Sequence, residues 1–160
     1  MLAVCKWLEQ TPVSAAVRES LWLFPALETL HLLGMIVLVG TIGAFDLRLL
    51  GWMIRRQRVS ELANRLLPWT WVGFAVQVVT GALLFSSEAA KVYTNPAFRL
   101  KMLMIVLAGL NALIFHLIVF RNVAAWDDRE VTPFAAKFAG LVSILLWIGI
   151  VAAGRFIGFV

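Results

Sequence analysis

The chain has 160 residues, 62% of them apolar and 14% charged, with a formal net charge of +5 and a mean hydropathy of +0.91. A soluble domain is about half apolar and about a quarter charged, and so short a chain cannot hide that much hydrocarbon from water. A cytosolic globule, a disordered chain and a disulfide scaffold are excluded, which leaves an integral membrane protein of a single domain.

At the N-terminus the apolar run Leu2 to Cys5 is broken by Lys6 and Glu9, too early for a signal peptide. Thr11-Pro12 sets a capping hydroxyl before a proline suited to the first helical position. It predicts a short amphipathic surface helix over about 12–23. Four apolar stretches follow, each able to supply the roughly 20 helical residues that cross a bilayer. In hydrocarbon the backbone must satisfy itself, so each reads as helix. Leu21 to Phe45 holds only Glu28 and His31 as ionisable groups, Leu66 to Ser87 none, Met102 to Phe120 only His116, and Phe138 to Val160 only Arg155. Pro25, Pro68, Pro96 and Pro133 mark the span starts, with Asn95 and Thr132 as caps. The predicted spans are about 25–54, 68–88, 96–121 and 133–158, with no proline in mid-span. Short connections imply an antiparallel order. The expected fold class is all-α integral membrane: an antiparallel four-transmembrane-helix bundle preceded by the surface helix, over 1–160 as one membrane domain.

With the N-terminus outside, eight of the 14 Lys and Arg lie on the cytoplasmic face, Arg55, Arg56, Arg58 and Arg129 among them, against six outside. Lys and Arg concentrate on the cytoplasmic side of membrane proteins. Trp52, Trp69, Trp71 and Trp126 fall at that same face, and Trp7 and Trp22 at the other, as interfacial belts. Basic residues facing anionic headgroups account for the positive charge. Nothing points to nucleic acid, and no phosphate loop, nucleophile elbow, H-E-x-x-H or Cys pair points to hydrolytic catalysis.

An ionisable residue inside a span marks a functional site by default, because hydrocarbon makes it costly. Glu28, His31 and Met35 share one face of the first span at i, i+3 and i+7. At ~1.5 Å per residue from each proline, His31 lies roughly 9 Å below the outer interface, and Arg155, about 33 Å along the fourth span, reaches the same layer. Lys101 reaches it too, so Glu28, His31, Lys101 and Arg155 are expected to converge. Two readings stand: mutual charge compensation, with Glu28 welcome at a helix N-terminus, or a ligand site. His116 lies about 30 Å along the third span, roughly 20 Å from His31 in depth. One haem therefore cannot bridge them within a chain, though a two-fold dimer pairs each histidine with its copy. Glu28, His31 and Met35 form a donor set suited to copper. Deeper, Asp46, Arg48, His116 and Lys137 form a second set, with Gln77 and Asn111 near mid-membrane. Those two amides act as interhelix glue or as rungs of a proton ladder. Gly154 and Gly158, with Ala108 and Ala112, give small-xxx-small spacing for helix contact.

The run Phe24 to Gly34, then Asp46-Leu47-Arg48-Leu49-Leu50-Gly51, resembles the opening of a family of small, uncharacterised bacterial four-span membrane proteins. Lys101, Asn111, Phe115-His116 and the closing Ala153-Gly154-Arg155-Phe156-Ile157-Gly158 are similar to it as well. More distantly, the chain resembles copper-resistance D-type membrane proteins. The first resemblance implies the fold and a bacterial inner membrane, here with both termini periplasmic. The second implies copper or redox association. The leading expectation is a non-hydrolytic protein whose outer-leaflet site binds haem b or copper, in redox or metal-homeostasis work. His31 is the ligand, Glu28 the second ligand or orienter, and Arg155 the counter-charge, with Lys101 and His116 as further cofactor-binding candidates. The alternatives are a cofactor-free structural or anchor subunit of a larger complex or homodimer, and conduction of protons or a small solute.

Overall fold

The computed structural model describes residues 1–127 and 131–159; Arg129 lies outside them. Among the described residues every regular element is helical: α1 (Leu2–Glu9), α2 (Pro12–Glu19), α3 (Leu23–Leu50), α4 (Val59–Ser87), α5 (Ala89–Thr94), α6 (Pro96–Ile114) and α7 (Phe134–Phe156). Four stretches are long and apolar enough to span a membrane, namely α3, α4, Pro96–Ala125 and α7, and only 11–22% of each apolar window is buried inside the protein. The remaining hydrocarbon faces outward. This is a multi-pass membrane protein with the expected antiparallel order. The side where α3 begins is called the near side below, and the side where it ends the far side.

Two short helices, rather than one, precede the spans. The Thr11 side chain accepts from the Ser14 N–H and caps α2 as the sequence implies. Ser20 then interrupts the chain: its hydroxyl oxygen accepts from the Leu23 N–H at 3.1 Å, so the surface helix stops at Glu19 and α3 starts at Leu23. α1 and α2 pack on the near-side ends of α4 and α5. The Glu9 carboxylate accepts from the Ala90 N–H at 2.8 Å, and Arg18 donates to the Ser87 carbonyl at 3.3 Å.

α3 carries apolar residues all round, as a lipid-facing helix should. Its 28 residues extend about 42 Å, beyond the ~30 Å hydrocarbon layer. It ends at Gly51, whose φ of 73° lets Gly51 and Trp52 donate back to Arg48 and Leu47. This left-handed stop is open to glycine at little cost. The span thus ends before the expected residue 54.

α4 departs further from expectation. Pro68 sits inside it rather than at its start. Proline in a helix removes one N–H and leaves the carbonyl four residues earlier, here that of Asn64, without a helical donor. The helix nevertheless starts at Val59, because Val59 and Leu62 (i, i+3) are buried and its first turn is capped from outside. The Ser60 N–H donates to Asp127 Oδ1 at 2.9 Å, and the Ser60 hydroxyl donates to Asp127 Oδ2.

Lipid tails are as apolar as the side chains, so spans associate through close packing and interhelix hydrogen bonds. The closest approach is between α3 and α4. A Cβ on Gly73 would lie 2.8 Å from the Leu38 backbone nitrogen, and one on Gly34 would lie 2.6 Å from Val76 Cγ1. The small-residue pattern of Gly158 and Ala112 is not used this way: a Cβ on Gly158 meets only its own helix at 4.0 Å, and Ala112 is exposed. α3 packs on α4, α6 on α7, and α3 on α7, whereas α4 and α6 form no comparable backbone contact. These two are joined near the near side by the Phe85–Phe98 ring stack, centroids 5.2 Å apart.

Beyond Ile114 the third span loosens into a π turn (Phe115–Val119) and a 3₁₀ turn (Phe120–Ala125). Leu49, Val59, Phe115, Trp126 and Ala136 form the far-side core. Trp126 is therefore a packed residue, 7% exposed, not a member of the interfacial belt. Trp52, Trp69 and Trp71 on that side, and Trp7 and Trp22 on the other, are exposed.

Candidate functional site

The near-side half of the bundle is built around His31. On α4, Gln77, Thr80 and Gly81 stand at i, i+3 and i+4 and so present one face to α3. Thr80, seven residues before the end of α4, lies roughly 10 Å from it, and His31 lies about 12 Å into α3, so the two meet at one level. His31 Nδ1 and Thr80 Oγ1 are 2.7 Å apart. The Thr80 hydroxyl proton is already committed to the Val76 carbonyl at 2.6 Å. Nδ1 must therefore carry the proton and donate it to Thr80, which leaves the Nε2 lone pair free. Gly81 makes room for the ring, since a Cβ there would stand 3.2 Å from His31 Cε1. The Gln77 side-chain amide donates to the His31 carbonyl.

Lys101 enters from α6 in its second turn. Its ammonium lies over Gly154 of α7, where an added Cβ would be 3.4 Å from Nζ, and by rise per residue it stands in the same near-side layer as His31. No carboxylate pairs with it among the described residues. The remaining expected members lie elsewhere. Glu28 is exposed and has no ion pair with Lys101 or Arg155. Arg155 is exposed and sits over the Phe159 ring, 5.6 Å from its centroid. Met35 is half-buried on α3. Of the four residues expected to converge, His31 and Lys101 are partly buried against neighbouring helices, His31 at Thr80 and Gly81 and Lys101 at Gly154. Glu28 and Arg155 are turned outward at the ends of their helices.

At the far side His116 is exposed in the π turn, its Nδ1 3.1 Å from the Ala112 carbonyl and its ring against Phe115 and Phe120. It does not join Asp46 or Arg48. Arg48 is 1% exposed and serves the loops, donating to the Gln57 carbonyl at 2.9 Å and to the Thr132 hydroxyl at 3.4 Å. Burial alone would raise the Asp127 carboxyl. Hydrogen bonds from the Ser60 side chain and from the Ser60 and Val59 N–H groups, with the Arg58 charge, hold it below its ordinary value instead. At mid-membrane Asn111 donates to the Ala139 carbonyl at 3.0 Å. With Gln77 on the His31 carbonyl, both amides tie neighbouring helices together.

Thr80 and Asp127 were not among the residues read from the sequence. For Thr80 a signal exists: a hydroxyl followed by glycine, at the depth of the only imidazole on the near side. For Asp127, a polar loop residue, none does.

A family model described as a family of unknown function, DUF6644, matches residues 23–160. The chain belongs to this family, and the matched segment begins where α3 does. No curated protein and no solved structure matches the chain, and none of these comparisons supports a likeness to copper-resistance D-type proteins.

Proposed function

We propose that this is a non-hydrolytic membrane-embedded binding protein, whose His31–Thr80–Lys101 cluster receives a ligand with an anionic or electron-rich head. The observation that carries this reading is Lys101: an ammonium within a span, with no carboxylate paired to it among the described residues. Such a charge is costly in hydrocarbon and marks a ligand path or site. His31, with its proton directed to Thr80, offers a neutral nitrogen lone pair beside the cation.

Haem b and copper fit this cluster less well. His31 has the proton arrangement of a metal-bound imidazole, its second nitrogen donating to an oxygen. Yet His116 is at the opposite end of the bundle, and the one polar partner of the His31 ring is the Thr80 hydroxyl of its own chain. For copper, no group of three His, Cys, Asp or Glu side chains comes together among the described residues. Glu28, the expected second ligand, is exposed, and Met35 alone does not complete a set.

Native mass spectrometry of the protein taken from bacterial inner membranes, with an absorption spectrum of the same sample, tests the proposal. The expected result is one bound anionic molecule, retained in Lys101→Arg, lost in Lys101→Met, and without a Soret band. Equal occupancy in Lys101→Met contradicts it, and a Soret band reinstates haem. The structural-subunit reading draws support from Gln77 and Asn111, whose amides act as glue. It predicts instead that no stoichiometric ligand is found and that His31→Ala leaves folding and partner co-purification unchanged.

A further inference from the structure

Between α3 and α7 lies a cavity of about 410 Å³ that runs from Asp46 near the far side through mid-membrane, with walls that include Val39, Gly43, Ile144, Trp147 and Val151. Its volume falls within the ~300–1,000 Å³ of small-molecule sites. One acid lines it, Asp46. That residue is 5% exposed, and its Oδ2 has no partner among the described residues. A buried polar atom left without a partner calls for an explanation, and a carboxylate in hydrocarbon calls for a cation.

We propose that this cavity binds a lipophilic organic cation, with Asp46 as its counter-charge. Asp46 stands four residues, roughly 6 Å, from the end of α3, so the charged head lies near the far-side interface and the apolar body extends toward mid-membrane. Trp147 adds an indole face, which attracts organic cations. Gly43 leaves the space open: a Cβ there meets nothing within 4 Å. Because the site is selective for positive charge and its acid stands roughly 22 Å along α3 from His31, it stands independently of the Lys101 cluster.

The test is equilibrium dialysis of tetraphenylphosphonium against the full chain in nanodiscs of zwitterionic phosphatidylcholine. Tetraphenylborate, of like size and shape but opposite charge, is run in a separate arm. The expected result is saturable binding of the phosphonium, weakened about tenfold or more both by Asp46→Asn and by Gly43→Leu, which fills the cavity. Asp46→Asn leaves the borate result unchanged. Phosphonium uptake no greater than in empty nanodiscs overturns the proposal. So does wild-type affinity in folded Gly43→Leu, or an equal loss of both ions in Asp46→Asn.

Discussion

Replacing Thr80 by valine keeps the shape of the side chain and removes its oxygen. Thr80 is 1% exposed, so water cannot substitute. The Val76 carbonyl that Thr80 contacts lies within α4 and keeps its helical partner. The loss therefore falls on His31, whose Nδ1–H, 2.7 Å from Oγ1, is left without an acceptor. A buried donor left unpaired costs about 1–3 kcal/mol in a soluble core, and interhelix hydrogen bonds within membranes average ~0.6 and reach about 1.7 kcal/mol. Thr80→Val should accordingly cost about 1 kcal/mol in detergent unfolding, with Thr80→Ser close to wild type. Nitrogen NMR of the imidazole provides the sharper assay. Wild type should carry its proton on Nδ1, and Thr80→Val should shift the population toward the Nε2-protonated form. Wild-type protein already protonated on Nε2, or a Thr80→Val variant indistinguishable from it, would refute the proton assignment.

Gly73→Val should destabilise the α3–α4 pair by about 1–3 kcal/mol, because its Cβ would press on the Leu38 backbone. Gly109→Ala, with nothing within 4 Å, should be neutral or stabilise by up to ~1 kcal/mol; reversible unfolding in mixed micelles compares the two. Asp127 holds its proton less readily when folded than its ordinary value of 3.8 implies. Its stabilisation of α4 is thus complete above that value and disappears as pH falls through the lower folded value. Unfolding measured from pH 5 down to pH 2 should reveal this acid loss, and Asp127→Ala should remove it, at a cost of about 0.5–2 kcal/mol at neutral pH. Arg155→Gln should leave stability within ~0.5 kcal/mol of wild type, as exposed substitutions do; a thermal shift larger than a few degrees would show that its charge is structural.

The number, order and helical nature of the spans were legible in the sequence because lipid leaves an apolar segment few other options. The depth of His31 and Lys101 was legible too, since rise per residue converts position into height. What rise cannot give is azimuth. Glu28, His31 and Met35 share a face by periodicity, yet that face is about a third of a helix wide, and the angle that brings His31 onto α4 carries Glu28 outward. The crossing at Gly34 and Gly73 sets that angle, and these glycines lie on different helices with no local pattern joining them. Pro68 misled because proline usually marks a helix start. Here Val59 and Leu62 find a core, and Asp127 caps the turn from more than sixty residues away, a contact that no short window contains.

The pairing at the heart of the account is His31 with Lys101, in place of Glu28 with either cation. A double-mutant cycle in reversible detergent unfolding tests it, with His31→Phe and Lys101→Met in one cycle and Glu28→Gln and Lys101→Met in the other. Coupled neighbours deviate from additivity by about 0.5 kcal/mol or more, and independent sites do not. Coupling is expected in the first cycle and additivity in the second; the reverse pattern would return Lys101 to Glu28 and overturn the His31–Lys101 pairing.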